Sequence, residues 1–290
     1  MLKPRCLPYI LIFPAALTTI LMVGWPIVQA VQLSLYHSRL LGVSSFAGLD
    51  NFRYLLFEER IFREAARNTL LWIVVGVACE YVYSLSVALL LNRVTHLRRP
   101  FTIAIILPWI IPPVVAALIW QTFFDPFYGI VNELLTKVGV LKAKVSWLGE
   151  ARLVLPSLIA ISVWRFSPMT IIVFLAGLQS IPRPLYEAAE VDGATRFQCF
   201  RFITLPMLAP ITIVILTLKV VWRARHFDLV WALTEGGPGH ASELLATLAY
   251  KYAIVQQDAG LGSTVAVVLL VCLAMFMIYV IRKMLEVRGA

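Results

Sequence analysis

The stretch P-R-P-L-Y-E-A-A-E-V-D-G-A-T-R-F-Q-C-F-R-F-I-T-L-P-M-L-A-P, from Pro182 to Pro210, separates two long apolar segments and reads as helix, turn and helix. Pro184 suits the opening of a short helix, and Gly193 permits the bend that ends it. Glu187 and Glu190 are expected in the early turns, where the helix dipole favours anions. Ala188 and Ala189 keep one face thin, so another protein's surface can approach closely. A second amphipathic segment follows, with Phe197, Phe200 and Ile203 or Leu205 on one face. Pro206 and Pro210 then mark the entry to the next apolar segment.

Working outward, six apolar stretches lie near Leu7–Val31, Thr69–Leu91, Phe101–Phe124, Val154–Ser180, Ile203–Arg225 and Ser263–Ile281. Each is about as long as the ~20 residues that cross a bilayer core. The whole chain of 290 residues is 60% hydrophobic and only 14% charged, which excludes a soluble domain and a disordered one. The first stretch imitates a signal peptide, with Lys3 and Arg5 ahead of it and V-Q-A at Val28–Ala30. It is longer than a signal core and carries Pro26, so it reads as a retained helix. The predicted fold is an all-α membrane protein of six transmembrane helices with a cytoplasmic helix between the fourth and fifth. Residues 1–65 would hold the first helix and an outer loop, and residues 66–285 the transmembrane core, with the inner loop at 182–206.

Cation counts on the two sides are nearly level, so orientation rests on density. The 92–100 turn packs three arginines into nine residues, whereas the outer loops are long. Both termini are therefore expected in the cytoplasm. Nucleic acid does not explain the net charge of +9, because the basic residues are dispersed. The cysteines, Cys6, Cys79, Cys199 and Cys272, share no metal-binding or disulfide spacing.

The string E-A-A-x-x-D-G-A from Glu187, with Phe200, Ile203, Leu205–Pro206 and Pro210, resembles the cytoplasmic loop of ABC-importer permeases. The resemblance implies a type I ABC importer permease fold. It also implies a coupling helix in which Glu187, Ala188, Ala189, Asp192 and Gly193 dock on an ATP-hydrolysing subunit and relay its motion. A second string, F-D-L-V-W-A-L-T-E-G-G-P-G at Phe227–Gly239, resembles carbohydrate-uptake permeases of the maltose and glycerol-phosphate kind. P-Y-I-L-I-F-P-A at Pro8–Ala15 and F-A-G-L-D-N-F at Phe46–Phe52 agree with it. Glu235 departs from the pattern, standing where many relatives carry Gly or Asn. The implied assembly holds a second permease, two ATP-binding subunits and an extracytoplasmic substrate-binding protein, all at the cytoplasmic membrane and its lipid. ATP would be bound by the partner subunits, and this chain would need no cofactor of its own.

In sugar permeases of this type, polar side chains on the fifth span face the translocation cavity. The resemblance carries those positions onto Lys219, Arg223 and His226, and the corresponding fourth-span positions onto Arg165, Phe166 and Met169. Spacings of four and three put Lys219, Arg223 and His226 on one helical face independently of any relative. The relatives tend to carry Ser, Asn, Gly or Tyr at these places, and this chain carries cations. Two readings follow. The cavity is fitted to a cargo with negative charge or many acceptors, such as a phosphorylated polyol or an acidic or amino sugar. Alternatively, the cations pair with Glu80, Asp228 or acids of a partner and hold the pathway closed.

An enzyme is not expected. The sequence has no G-x-x-x-x-G-K-[ST] loop, no H-E-x-x-H and no Ser/His/Asp set, and Glu80 is the single acid deep in a span. A proton-coupled secondary transporter with Glu80 and His226 as its relay is the competing class. A secondary carrier has no ATPase to dock and so no use for the 187–193 loop.

Overall fold

The computed structural model describes residues 7–38, 44–94 and 98–289. Lys3, Arg5, Cys6, Arg39 and the middle of the 92–100 turn lie outside the described residues. Among the described residues, five helices are long and apolar enough to cross a membrane: α1 (Leu11–Ser34), α2 (Arg60–Arg93), α5 (Val154–Ser180), α7 (Arg196–Ala224) and α9 (Ala259–Glu286). Between α2 and α5 stand α3 (Arg98–Ile110) and α4 (Pro113–Phe123), bent by 100° where one straight span was expected. Counted together, they bring the crossings to six. The break has a local cause. Pro112 and Pro113 supply no N–H, so the α3 carbonyls before them lose their helical donors. Two of the shorter helices bear on the site, α6 (Arg183–Val191) between α5 and α7, and α8 (Asp228–Thr234) after α7.

The chain forms two compact units. One joins residues 1–63 to 248–274. In it the end of α1 leads into a two-stranded antiparallel ribbon, β1 (Tyr36–His37) with β2 (Ser45–Phe46). The F-A-G-L-D-N-F motif closes this ribbon. Gly48 takes a left-handed φ of 55°, and Asn51, buried, donates to the carbonyls of Ser34 and Tyr36 at 3.0 Å each. The Thr264 hydroxyl at the start of α9 donates to the same Ser34 carbonyl. The apolar window of α1 has no buried residue.

The second unit joins residues 64–247 to 275–290 and holds two apolar clusters. The outer cluster gathers Trp72, Val154, Leu158, Ile161, Leu229 and Leu244. The inner one gathers Leu85, Ala88, Phe174, Leu178, Leu208 and Ile215. On α2 and α5 the ionisable residues Glu80 and Arg165 fall between the residues given to one cluster and those given to the other, and on α7 Lys219 and Arg223 follow the last residue given to the inner one. The protein therefore carries a charged layer between two apolar ones.

The helix α7 starts earlier than the fifth apolar stretch, so the amphipathic segment after Gly193 is continuous with the span. A π-helical turn at Phe200–Thr204 absorbs the irregularity ahead of Pro206. Phe200, Ile203 and Leu205 pack on the inner cluster as expected, whereas Phe197 points away and is 72% exposed.

Candidate functional site

The charged layer is built by three helices. Glu80 on α2 is the acid, and Lys219 and Arg223 stand one turn apart on α7. One Glu80 oxygen, Oε1, accepts from the Lys219 ammonium and from the Thr170 hydroxyl at 3.0 Å; the other, Oε2, accepts from Arg223 Nη2 at 3.1 Å. Arg223 Nη1 donates to the Ser162 hydroxyl at 2.9 Å, and Lys219 also donates to the Phe166 carbonyl at 2.9 Å. Glu80 and Arg223 are each 2% exposed and Lys219 is 5% exposed. A buried charge without partners is costly, and these groups meet that cost by pairing. The positive excess remains, because two cations share one acid.

The sequence missed the residues that make room for this cluster. Trp72, Gly76 and Glu80 recur at every fourth position of α2 and so share a face. The Arg223 guanidinium lies 5.1 Å from the Trp72 ring centroid, and the Trp72 indole donates to the Arg223 carbonyl at 3.2 Å. A Cβ on Gly76 would overlap Arg223 Nη1, so any larger residue there must push the guanidinium out of its place. A glycine one turn before a buried acid was the available signal. The partner it clears space for is not visible from α2 alone.

Of the residues assigned to the pathway, Phe166, Met169, Lys219, Arg223 and His226 line a single cavity of about 420 Å³, joined by Glu80, Trp109, Trp222 and Arg225. Arg165 does not line it. Its Nη2 donates to the Ile111 carbonyl at 2.8 Å, filling one of the acceptors that the broken α3–α4 pair leaves open. Its guanidinium also lies over the Phe166 ring at 4.7 Å, and that ring stands 4.2 Å from the His226 ring. Arg225 is exposed. A larger groove of about 1130 Å³, walled by residues such as Leu71, Val75, Ile159 and Val163, holds none of the assigned residues.

A proton relay from Glu80 to His226 is not formed. Both Glu80 oxygens are taken by Lys219, Arg223 and Thr170, and His226 packs on Phe166.

On the opposite side of the inner cluster, α6 lies wholly at the surface, with Glu187, Ala188, Asp192 and Gly193 exposed and Ala189 partly so. Pro182 caps it in an extended conformation and Gly193 ends it at φ 80°. Ala194 N–H reaches back to the Ala189 carbonyl at 2.8 Å, the closure a left-handed glycine allows. One expectation fails. The helix is nine residues long, so Glu187 sits in its middle and Glu190 in its last turn, and neither gains from the N-terminal dipole. Thr195 and Gln198 form a reciprocal capping box that starts α7. The Tyr186 and Thr204 hydroxyls, 2.9 Å apart, tie α6 to α7. Val191, 87% exposed, and Phe197 present apolar surface beside the acids.

The Phe227–Gly239 motif forms α8 and a tight loop. Glu235 adopts the left-handed conformation, φ 50° and ψ 28°, that Gly or Asn would take without strain. Ser242 and Thr234 share a hydrogen bond across the loop at 2.8 Å, and Asn68 of α2 donates to the carbonyls of His240 and Glu243. Glu243, fully buried, accepts from Thr247 and contacts the His240 ring.

Membrane-length helices, a charged layer beside a cavity and an exposed surface helix mark a membrane-embedded protein. The chain belongs to the family of binding-protein-dependent transport system inner membrane components, whose pattern matches residues 80–288. It is 32% identical to the trehalose/maltose transport system permease protein of Thermococcus litoralis, covering 95% of this chain and 92% of that one. It is 33% identical to the sulfoquinovosyl glycerol transport system permease protein of Agrobacterium fabrum, covering 92% and 87%. Among solved structures, the bacterial alginate ABC transporter in complex with an alginate pentasaccharide-bound periplasmic protein contains a chain with the same fold. The TM-score is 0.81 at 24% identity, covering 94% of this chain and 92% of that one. The fold is the type I importer permease fold, and the chain is a sugar ABC transporter permease by family and relatives.

Proposed function

We propose that this permease passes a sugar or sugar derivative bearing an acidic group, carboxylate, sulfonate or phosphate, through the cavity between α5 and α7. One observation carries the reading: the buried ion-paired cluster facing that cavity holds two cations, Lys219 and Arg223, against one acid, Glu80. Excess positive charge in a low-dielectric site favours an anion and disfavours an amino sugar. Among the relatives, the sulfoquinovosyl glycerol permease is named for an acidic cargo. Arg223 and Lys219 would meet the acid group, with Phe166 and Trp222 against the sugar ring.

The rest of the machine follows from the family. A second permease would complete the pathway, an extracytoplasmic binding protein would deliver cargo, and two ATP-binding subunits would hydrolyse ATP. Their closure would reach the spans through Glu187, Ala188, Ala189, Asp192 and Gly193, with α6 and both termini in the cytoplasm of the cell and the chain in its inner membrane. Tyr186 and Thr204 support the relay, since a push on α6 passes through them to α7.

The test is ATPase activity of the complete importer in lipid, titrated with its binding protein and a panel of neutral, amino, acidic and phosphorylated sugars. Stimulation by acidic or phosphorylated members is the expected result. Stimulation confined to neutral or amino sugars overturns the cargo assignment.

A further inference from the structure

We infer that Glu80 is the pathway's internal counter-ion: paired with Lys219 and Arg223, it holds that buried cluster at one unit of excess positive charge, so that an acidic cargo binds there and still leaves. The inference rests on the acidic-cargo reading above and adds to it what sets the strength of the site.

Glu80 lines the cavity together with the cations it touches. It is fixed in place by the Thr170 hydroxyl on a neighbouring helix, so it remains beside them whether or not cargo is present. The two cations keep donors in reserve. An ammonium has three N–H bonds, and Lys219 commits two, to Glu80 and to the Phe166 carbonyl. A guanidinium has five, and Arg223 commits two, to Glu80 and Ser162, while its buried Nε has no partner. An arriving anion therefore finds free N–H groups without displacing the glutamate. What Glu80 alters is the field. With it, the Lys219–Arg223 cluster presents one net charge; without it, the cluster presents two, in a place where water screens poorly. A pathway needs a site favourable enough to enter and weak enough to leave, and a resident carboxylate supplies the weakening.

The charge balance can be read without knowing the cargo. Trp222 lines the cavity, with the Lys219 ammonium 5.8 Å from its ring centroid, so its fluorescence reports anions at this spot. The complete importer in lipid nanodiscs, free of cargo, is titrated with iodide and separately with neutral acrylamide. The Trp222 signal is taken as the difference from Trp222→Phe. Glu80→Gln, which keeps the side chain's shape and removes its charge, is expected to raise iodide quenching by about threefold or more, with acrylamide quenching unchanged. Lys219→Gln is expected to lower iodide quenching by a similar factor, and Glu80→Gln with Lys219→Gln to restore the starting value. Unchanged iodide quenching in Glu80→Gln overturns the inference. So does a parallel rise with acrylamide, which marks a loosened fold instead of a changed field. If Glu80→Gln does not assemble, Lys219→Gln decides alone, and no change there overturns the inference. The sugar panel on the unmodified importer fails independently: a neutral-only response sinks the cargo reading and leaves the iodide result standing.

Discussion

The helix α6 and the charged layer carry the two sets of residues assigned from the sequence, and they are built in opposite ways. In α6 the side chains face outward, make few contacts within the chain, and are held by backbone devices: an extended proline cap, a left-handed glycine and a hydroxyl pair to α7. In the charged layer every ionisable group is buried and answered by a partner on another helix. An exposed helix loses little stability when its outward side chains change. A buried ion cluster cannot lose one member without exposing the rest to an uncompensated field.

That contrast predicts where damage appears. Gly76→Ala would drive a methyl into the Arg223 guanidinium and part it from Glu80, costing about 3 kcal/mol of stability. A lowered melting temperature and poor recovery of the complex would report it; an unchanged melting curve would mean that the guanidinium has room the packing does not suggest. Glu187→Ala should do the reverse. The melting temperature should hold, while cargo-driven transport falls by about tenfold as expected for a contact worth ~1.4 kcal/mol. Normal transport in that variant would remove Glu187 from the coupling surface. Glu235→Gly relieves a left-handed non-glycine residue and should stabilise the chain by about 1 kcal/mol, read as a small rise in melting temperature. The smallest effect belongs to Arg225→Gln. This exposed cation at the cavity rim should change stability by under ~0.5 kcal/mol and weaken the importer's response to acidic sugars mainly at low salt, where surface charge is least screened.

Several features were legible before any coordinates. The E-A-A-x-x-D-G-A string placed the surface helix, because proline and glycine act on the backbone wherever they stand. The spacing of Lys219 and Arg223 placed them on one face of α7, since helical period alone decides that; His226 stands past the end of α7 and reaches the same cavity from non-helical chain. Arg165 was grouped with them and instead serves the open carbonyl of Ile111. The sequence holds two prolines at that break but does not show which side chain answers it. The dipole expectation for Glu187 and Glu190 failed for a smaller reason, since a nine-residue helix opening at Arg183 puts them in its middle and its last turn.

By itself, then, the sequence determined the apolar segments, the position of the surface helix and the surplus of cations within those segments, all properties of composition and local period. Tertiary structure decided the pairing. Arg223 meets an acid 143 residues away and a hydroxyl 61 residues away, in a space that Gly76 leaves open. Charge interacts through distance in space, and the fold alone sets that distance.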